Sequence, residues 1–209
     1  KAFSKEHFRL IGEYMKVAVA NGINMILTPV FTPELDTYVG GERMTTQLVK
    51  IEQNSGVYSF DFTLLGKWID LANKCGVEYF EICHLFSQWG ARKTPKVVIK
   101  VDGVETKKFG WHTDALGEEY VSFLDAFLPE LVKYLKEKGV EKRCYFHVSD
   151  EPSLSSLEHY LNCSKVLNKH LSEFPTIDAL SNVDFYDTGA IKNPVPSLHH
   201  VKDFLDRNV

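Results

Sequence analysis

The hydrophobic residues of this chain follow a helical spacing in some segments and form short continuous runs in others. Near the N-terminus, apolar residues lie three or four positions apart at Phe8, Ile11 and Met15, as on one face of an α-helix. Ser4 precedes this stretch and is the expected N-cap. The apolar run that follows, residues 23–30, is predicted to be a strand.

The same order of helix and strand recurs along the chain. The predicted helices span about residues 4–21, 61–75, 116–138, 153–173 and 197–208. The predicted strands span residues 23–30, 77–85, 143–149 and 176–184. Gly22, Gly76 and Gly139 directly follow three of the helices, where glycine supplies the left-handed C-cap residue. Because a crossover helix joins neighbouring parallel strands, the alternation predicts an α/β protein with a parallel sheet.

Long connections follow the first two predicted strands, whereas the turns from helix to strand are short. The long segments are residues 31–60 and 86–115. Long loops at the carboxyl ends of parallel strands are typical of a (β/α) TIM-type barrel. An open doubly wound sheet is the alternative, but the first strand is not followed by either glycine-rich nucleotide-binding motif.

The length of the chain predicts an incomplete barrel. Four strands are clear in 209 residues, whereas a full eight-stranded barrel takes about 250. Residues 1–209 are therefore expected to form one partial barrel domain, which another segment or a second copy of the chain completes. A β-hairpin is predicted at about residues 96–108, because Asp102-Gly103 separates two alternating runs.

Composition and charge exclude several classes of partner. With a formal net charge of −4 and no basic stripe, the chain is not expected to bind nucleic acid. The longest apolar run, residues 23–30, is far short of the roughly 20 residues of a membrane span. The four cysteines lack zinc spacing and are expected to be free thiols, so neither a metal nor a cofactor is predicted. No compartment is assigned, since the chain begins at Lys1 without a methionine.

A strand that ends in two adjacent acids is the sharpest candidate for chemistry. In the segment from Tyr145 to Pro152, alternation turns His147, Ser149 and Glu151 towards the barrel interior. Pro152 is expected to keep Glu151 extended. Two neighbouring carboxyls can divide the roles of general acid and ionised partner. The simpler alternative is that Asp150 and Glu151 only begin the next helix, where acids suit the dipole.

Three segments resemble glycoside hydrolase family 123. They read HVSDEP (147–152), HLFSQWGARKTPKV (84–97) and FGWHTD (109–114). The resemblance implies a (β/α)8 barrel that removes terminal β-linked N-acetylgalactosamine from a glycan or glycoconjugate with retention of configuration. In that mechanism the 2-acetamido oxygen of the substrate is the nucleophile. Glu151 would then be the acid and base, and Asp150 would orient the acetamide group.

Other residues are candidates for binding the sugar. They are His84, Trp89, Trp111, His112, Asn182 and Tyr186. Tryptophan rings can cover a sugar face, and histidines can hydrogen-bond to hydroxyls. Asn182 and Tyr186 share one parity at the end of a predicted strand. His147 is expected to support Glu151 from behind.

Two alternatives stay open. One is a barrel glycosidase whose nucleophile is a carboxylate on a strand outside this chain, because such enzymes also place a glutamate before proline. The other is a degenerate barrel that binds carbohydrate without catalysis. Galacto or gluco preference is not predicted from the residues.

Overall fold

A computed structural model describes residues 2–35 and 37–207 of the chain. Within these residues the helices are α1 (Lys5–Ala20), α2 (Thr63–Cys75), α3 (Glu118–Glu137), α4 (Leu157–Leu171), α5 (Asp184–Asp187) and α6 (Val201–Leu205). The strands are β1 (Met25–Thr28), β2 (Lys50–Asn54), β3 (Val57–Asp61), β4 (Tyr79–Ile82), β5 (Val97–Val101), β6 (Val104–Phe109), β7 (Cys144–Tyr145), β8 (Ile177–Leu180) and β9 (Asn193–Pro196). The fold is a mixed α/β structure.

Parallel strands stand side by side in the order in which they occur along the chain. A three-stranded sheet has the order β1-β4-β7, and both of its pairings are parallel. A bridge between Phe146 and Thr176 continues this order into the parallel pair β8-β9. The predicted parallel sheet is thus present, but the described strands do not close into a barrel.

A second sheet lies in the long connections after β1 and β4. Its order is β3-β2-β5-β6, and it consists of two antiparallel hairpins joined through a parallel contact of β2 with β5. The predicted hairpin is confirmed as β5-β6, with Asp102 and Gly103 at φ 44° and 89° in its turn. The β2-β3 hairpin was not predicted.

Aromatic side chains hold the two sheets together through α3. The ring of Phe123 on α3 lies 5.0 Å from that of Phe109 on β6 and 5.3 Å from that of Tyr58 on β3. It also lies 5.7 Å from the ring of Phe31, which follows β1. Phe31, Phe109 and Phe123 are fully buried, so this cluster is a centre of the core.

Local signals placed the ends of the early helices correctly. Ser4 caps α1 and accepts a hydrogen bond from the backbone N–H of His7 at 3.2 Å. Gly76 ends α2 in the left-handed conformation, at φ 89°.

Within the described part of the chain the cysteines are free, with Cys75 half-buried and Cys83, Cys144 and Cys163 buried. No described helix is both long and apolar enough to cross a membrane.

The later elements are shorter than predicted. The strand expected over residues 143–149 pairs regularly only at Cys144–Tyr145, and the strand expected to reach residue 184 ends at Leu180. The last helix covers Val201–Leu205 instead of residues 197–208, and Asn208 lies outside the described residues. Strand β9 was not predicted.

Candidate active site

The acidic pair lies on the segment that leaves the carboxyl end of β7. Phe146 and Val148 are fully buried in the core, while His147 and Ser149 face the other way, as alternation predicts. The pattern stops at Glu151, whose φ of 44° is left-handed. The expectation that Pro152 keeps Glu151 extended is therefore wrong, because contacts elsewhere in the fold override the local preference. The Glu151 side chain is exposed.

The loop after β4 fixes the backbone of this acidic segment. The N–H of Phe86 donates to the carbonyl of Val148 at 3.1 Å, and that of Trp89 donates to the carbonyl of Asp150 at 2.7 Å. Between them, the Ser149 hydroxyl donates to the carbonyl of Ser87 at 2.8 Å. The two strand-end loops are thus joined by consecutive hydrogen bonds.

Backbone strain is concentrated at this junction. Trp89, Gly90 and Ala91 have φ values of 61°, 123° and 58°, and Glu151 is left-handed as well. A non-glycine residue in this region costs of order 1–3 kcal/mol, and such residues cluster at functional sites. His159 on α4 supports the junction, because its Nε2 donates to the carbonyl of Ala91 at 3.0 Å. The surrounding contacts hold Glu151 in a conformation that its sequence disfavours.

His147 lies behind the acids, between two carboxylates. Its Nε2 is 2.7 Å from Oε1 of Glu81, and its Nδ1 is 3.2 Å from Oδ1 of Asp178. Asp178 is fully buried and accepts a further hydrogen bond from the hydroxyl of Tyr160. Burial opposes a charge on His147, but the hydrogen bonds with Asp178 and Glu81 outweigh it and raise the pKa of His147 to about 9. His147 is therefore a cation at neutral pH.

His84 links this cation to the acidic pair. Its ring centroid is 4.2 Å from that of His147, and its Nε2 is 3.9 Å from Oδ1 of the half-buried Asp150. Burial and the charge on His147 lower the pKa of His84 well below its ordinary value, so His84 is neutral. Its Nδ1 is buried without a hydrogen-bond partner in residues 2–35 and 37–207. At 3.9 Å the contact with Asp150 is longer than a hydrogen bond, so a small movement is needed to form one.

The same cluster has the spacing of a metal site. Donor atoms of His84, His147 and Asp178 lie within 4.8 Å of one another. However, both nitrogens of His147 already donate to carboxylates, and a protonated imidazole has no lone pair for a metal. The donor set therefore fits an ion-pair network better than a metal ion.

The predicted sugar-binding residues fall into three places. Trp89 lies next to Asp150 in the chain of hydrogen bonds and is 47% exposed, so its ring is accessible beside the acids. Trp111 and His112 follow β6 and line a separate cavity together with Glu34.

Asn182 and Tyr186 do not share a strand face, so that prediction is wrong. The strand ends at Leu180, the side-chain oxygen of Asn182 accepts from the N–H of Asp184 at 2.8 Å, and α5 begins there. This local hydrogen bond caps the turn and ends the extended conformation. Tyr186 lies on α5 and packs against the core.

Several residues of the site were not found from the sequence. Glu81 and Asp178 are the acids in the apolar strands YFEI and IDAL. An acid inside a short apolar strand is itself a signal, because a buried carboxylate needs a partner. Tyr160 and Glu34 carry no comparable signal, since a tyrosine on a helix and a glutamate in a loop are common.

Comparison with known proteins supports the resemblance found in the sequence. The profile described as "Glycoside hydrolase 123, catalytic domain" matches residues 1–208. The chain belongs to glycoside hydrolase family 123. A solved structure from a study of glycolipid glycan hydrolysis by a family 123 glycoside hydrolase from Clostridium perfringens is similar in fold, with a TM-score of 0.63 and 18% sequence identity. The match covers 95% of this chain and 34% of that chain, so the family 123 segment described here spans about a third of that protein's length. A search of curated proteins found no match.

Proposed function

We propose that this family 123 chain carries the acid centre of a glycosidase that removes terminal β-linked N-acetylhexosamine, with N-acetylgalactosamine as the sugar. The observation that carries the proposal is the placement of Asp150 and Glu151 on the segment that leaves the carboxyl end of the parallel strand β7, where the loop after β4 fixes the backbone. Carboxyl ends of parallel strands are where α/β enzymes place their catalytic side chains. Family membership supports glycan chemistry at this position.

We further propose that residues 1–209 form a single domain that is part of a (β/α)8 barrel. The support is the order β1-β4-β7, continued by the bridge from Phe146 to Thr176 and by β8-β9. In a barrel, neighbouring strands follow one another along the chain in this way. The remaining strands would come from another segment or from a second copy of the chain.

The mechanism uses the substrate's own acetamido group. Its carbonyl oxygen attacks the anomeric carbon, the bond to the leaving oxygen breaks, and Glu151 gives that oxygen a proton. The product is a cyclic oxazolinium ion. Glu151 then takes a proton from water, which opens the ring with retained configuration. Asp150 accepts a hydrogen bond from the acetamide N–H and stabilises the positive charge that develops.

The histidines behind the pair position Asp150. A neutral His84 can donate one hydrogen bond to Asp150 without cancelling the negative charge that faces the oxazolinium ion. Burial and the cation at His147 together keep His84 neutral, and that cation is itself paired with Glu81 and Asp178. Trp89 presents an exposed ring beside the acids and serves as the apolar wall for a sugar face.

Activity on p-nitrophenyl N-acetyl-β-galactosaminide tests the proposal. Once the other segment or a second copy completes the barrel, we expect hydrolysis by the wild type, competitive inhibition by a thiazoline mimic of the oxazolinium ion, and slower formation of the intermediate in Asp150→Asn. Glu158→Gln is the matched control, because Glu158 is an exposed glutamate in the first turn of α4. A trapped ester between sugar and enzyme, without thiazoline inhibition, would favour a protein nucleophile instead. Sugar binding without release of nitrophenol would favour a non-catalytic carbohydrate-binding protein.

A further inference from the structure

A polar cavity lies apart from the acidic pair. It has a volume of about 190 Å³ and lies between the loop after β1 and the turn after β6, and neither Asp150 nor Glu151 lines it. Pockets for drug-sized ligands measure roughly 300–1,000 Å³. This cavity therefore has room for one ring or substituent, or for about six waters at roughly 30 Å³ each.

Two buried polar groups at this cavity have no hydrogen-bond partner among the described residues. Glu34 is 8% exposed, and both of its carboxyl oxygens lack a hydrogen bond among the described residues. The same holds for Nε1 of Trp111, and both residues line the cavity. Buried polar groups are almost always paired, so two orphans at one cavity indicate a ligand that supplies their partners.

The chemistry of these orphans defines the ligand. Burial raises the pKa of Glu34 to about 8, so the carboxyl is neutral at pH 7 and offers both a donor and acceptors. The indole N–H of Trp111 only donates. A hydroxyl both accepts and donates, so adjacent hydroxyls of a sugar satisfy the two groups together.

Three cations, Lys96, Lys107 and Arg43, and the carboxylate of Glu42 line the cavity. Lys96 and Lys107 are both already paired with Glu42, with Lys96 Nζ 3.4 Å from Oε2. An anion would have to compete with Glu42 for these lysines. Inorganic phosphate is therefore a suitable probe of whether the cavity binds an anion instead.

The cavity is connected to the acidic pair through two successive residues. The side-chain amide of Gln88 donates to the carbonyl of Thr37, which lines the cavity. The next residue, Trp89, donates its N–H to the carbonyl of Asp150. We propose that the cavity formed around Glu34 and Trp111 is a second sugar-binding subsite, which takes one neutral hydroxylated ring or substituent of the glycan. This inference rests on the proposed function for its class of ligand.

Indole N–H signals in the NMR spectrum of the ¹⁵N-labelled chain test the subsite. The chain has three tryptophans, and each reports on a different place. Trp111 reports on the cavity, Trp89 on the acids, and Trp68, whose Nε1 donates to Oγ1 of Thr28 at 3.2 Å, serves as an internal reference. Trp111→Phe assigns the cavity signal. Titrations use N-acetylgalactosamine, galactose and inorganic phosphate as separate probes.

We expect a saturable shift of the Trp111 signal with at least one of the two sugars and none with phosphate. Glu34→Gln keeps a neutral donor and acceptor, so its Kd should stay within about threefold of wild type. Glu34→Leu removes both and should raise the Kd about tenfold or more, the equivalent of one to two hydrogen bonds. The melting temperature of Glu34→Leu should not fall, because an apolar group replaces an unpaired buried carboxyl. An unchanged melting temperature therefore shows that weaker sugar binding is not caused by loss of folding.

Three results would overturn the subsite. They are a Trp111 signal that neither sugar moves, a shift with phosphate alone, and unchanged sugar affinity in Glu34→Leu. Hydrolysis of the nitrophenyl glycoside is measured on the same samples. Hydrolysis without any shift of the Trp111 signal refutes the subsite but not the proposed function. A shift of the Trp111 signal without hydrolysis refutes the proposed function but not the subsite.

Discussion

The charge on His147 predicts a specific dependence of stability on pH. Its pKa of about 9 in the folded protein compares with 6.5 for an unperturbed histidine. At about 1.36 kcal/mol per unit of pKa, this difference makes the charged form worth about 3 kcal/mol to the folded state. Because the folded pKa is the higher one, this contribution is fully present below pH 6.5 and is lost as the pH rises through 9. The substitution His147→Gln removes the titration.

Urea unfolding of wild type and His147→Gln between pH 6 and 10 measures the effect. The free energy of unfolding of the wild type relative to the variant should fall by about 3 kcal/mol across this range. Groups that do not contact His147, such as Glu34, titrate in both proteins and cancel in the difference. An NMR titration of the imidazole gives the pKa independently. A stability difference that stays constant from pH 6 to 10 would refute the claim that His147 is a buried cation.

The remaining predictions concern the core, the sugar platform and the polar cavity. Phe123→Ala should lower the free energy of unfolding by about 3–5 kcal/mol in urea, because Phe123 joins both sheets and is fully buried. Trp89→Ala should raise KM about tenfold with a smaller change in kcat, whereas Trp89→Phe should retain most of the binding; equal effects of the two variants would argue against ring stacking. Glu34→Gln should gain stability over wild type as the pH rises from 4.5 through 8, by up to about 5 kcal/mol, because the wild-type carboxyl is buried and ionises only with a pKa of about 8. Identical pH profiles of the two proteins in thermal unfolding would contradict the last prediction.

Local sequence signals were enough to locate several helix ends and one hairpin turn in the first half of the chain. The N-cap at Ser4, the C-cap at Gly76 and the turn at Asp102-Gly103 depend on a few neighbouring residues, and all were placed correctly. The β2-β3 hairpin, which was not predicted, has a similar local signal, Ser55-Gly56 at φ 49° and 83° between two strands.

Other features depend on contacts that no local pattern contains. Strand β9 includes Pro194 and Pro196, which disfavour a central strand, and its observed pairing is with β8 alone. The conformation of Glu151 depends on the loop after β4, which lies about sixty residues earlier in the chain. Likewise, His147 meets Glu81 and Asp178 only because β4, β7 and β8 are neighbours in the sheet order. The acidic pair and the two histidines could thus be proposed from sequence, but the carboxylates of Glu81 and Asp178 that hold His147 could not.

The central claim is that Glu151 protonates the leaving oxygen while the acetamido group attacks. The most direct measurement is kcat/KM of wild type, Glu151→Gln and the control Glu158→Gln on a series of aryl and alkyl β-N-acetylgalactosaminides of increasing leaving-group pKa. The account predicts that Glu151→Gln loses about 10²–10⁴ in rate on the alkyl glycosides, much less on the nitrophenyl glycoside, and that the control follows the wild type throughout. A loss in Glu151→Gln that is equal for every leaving group, or no loss at all, would contradict it.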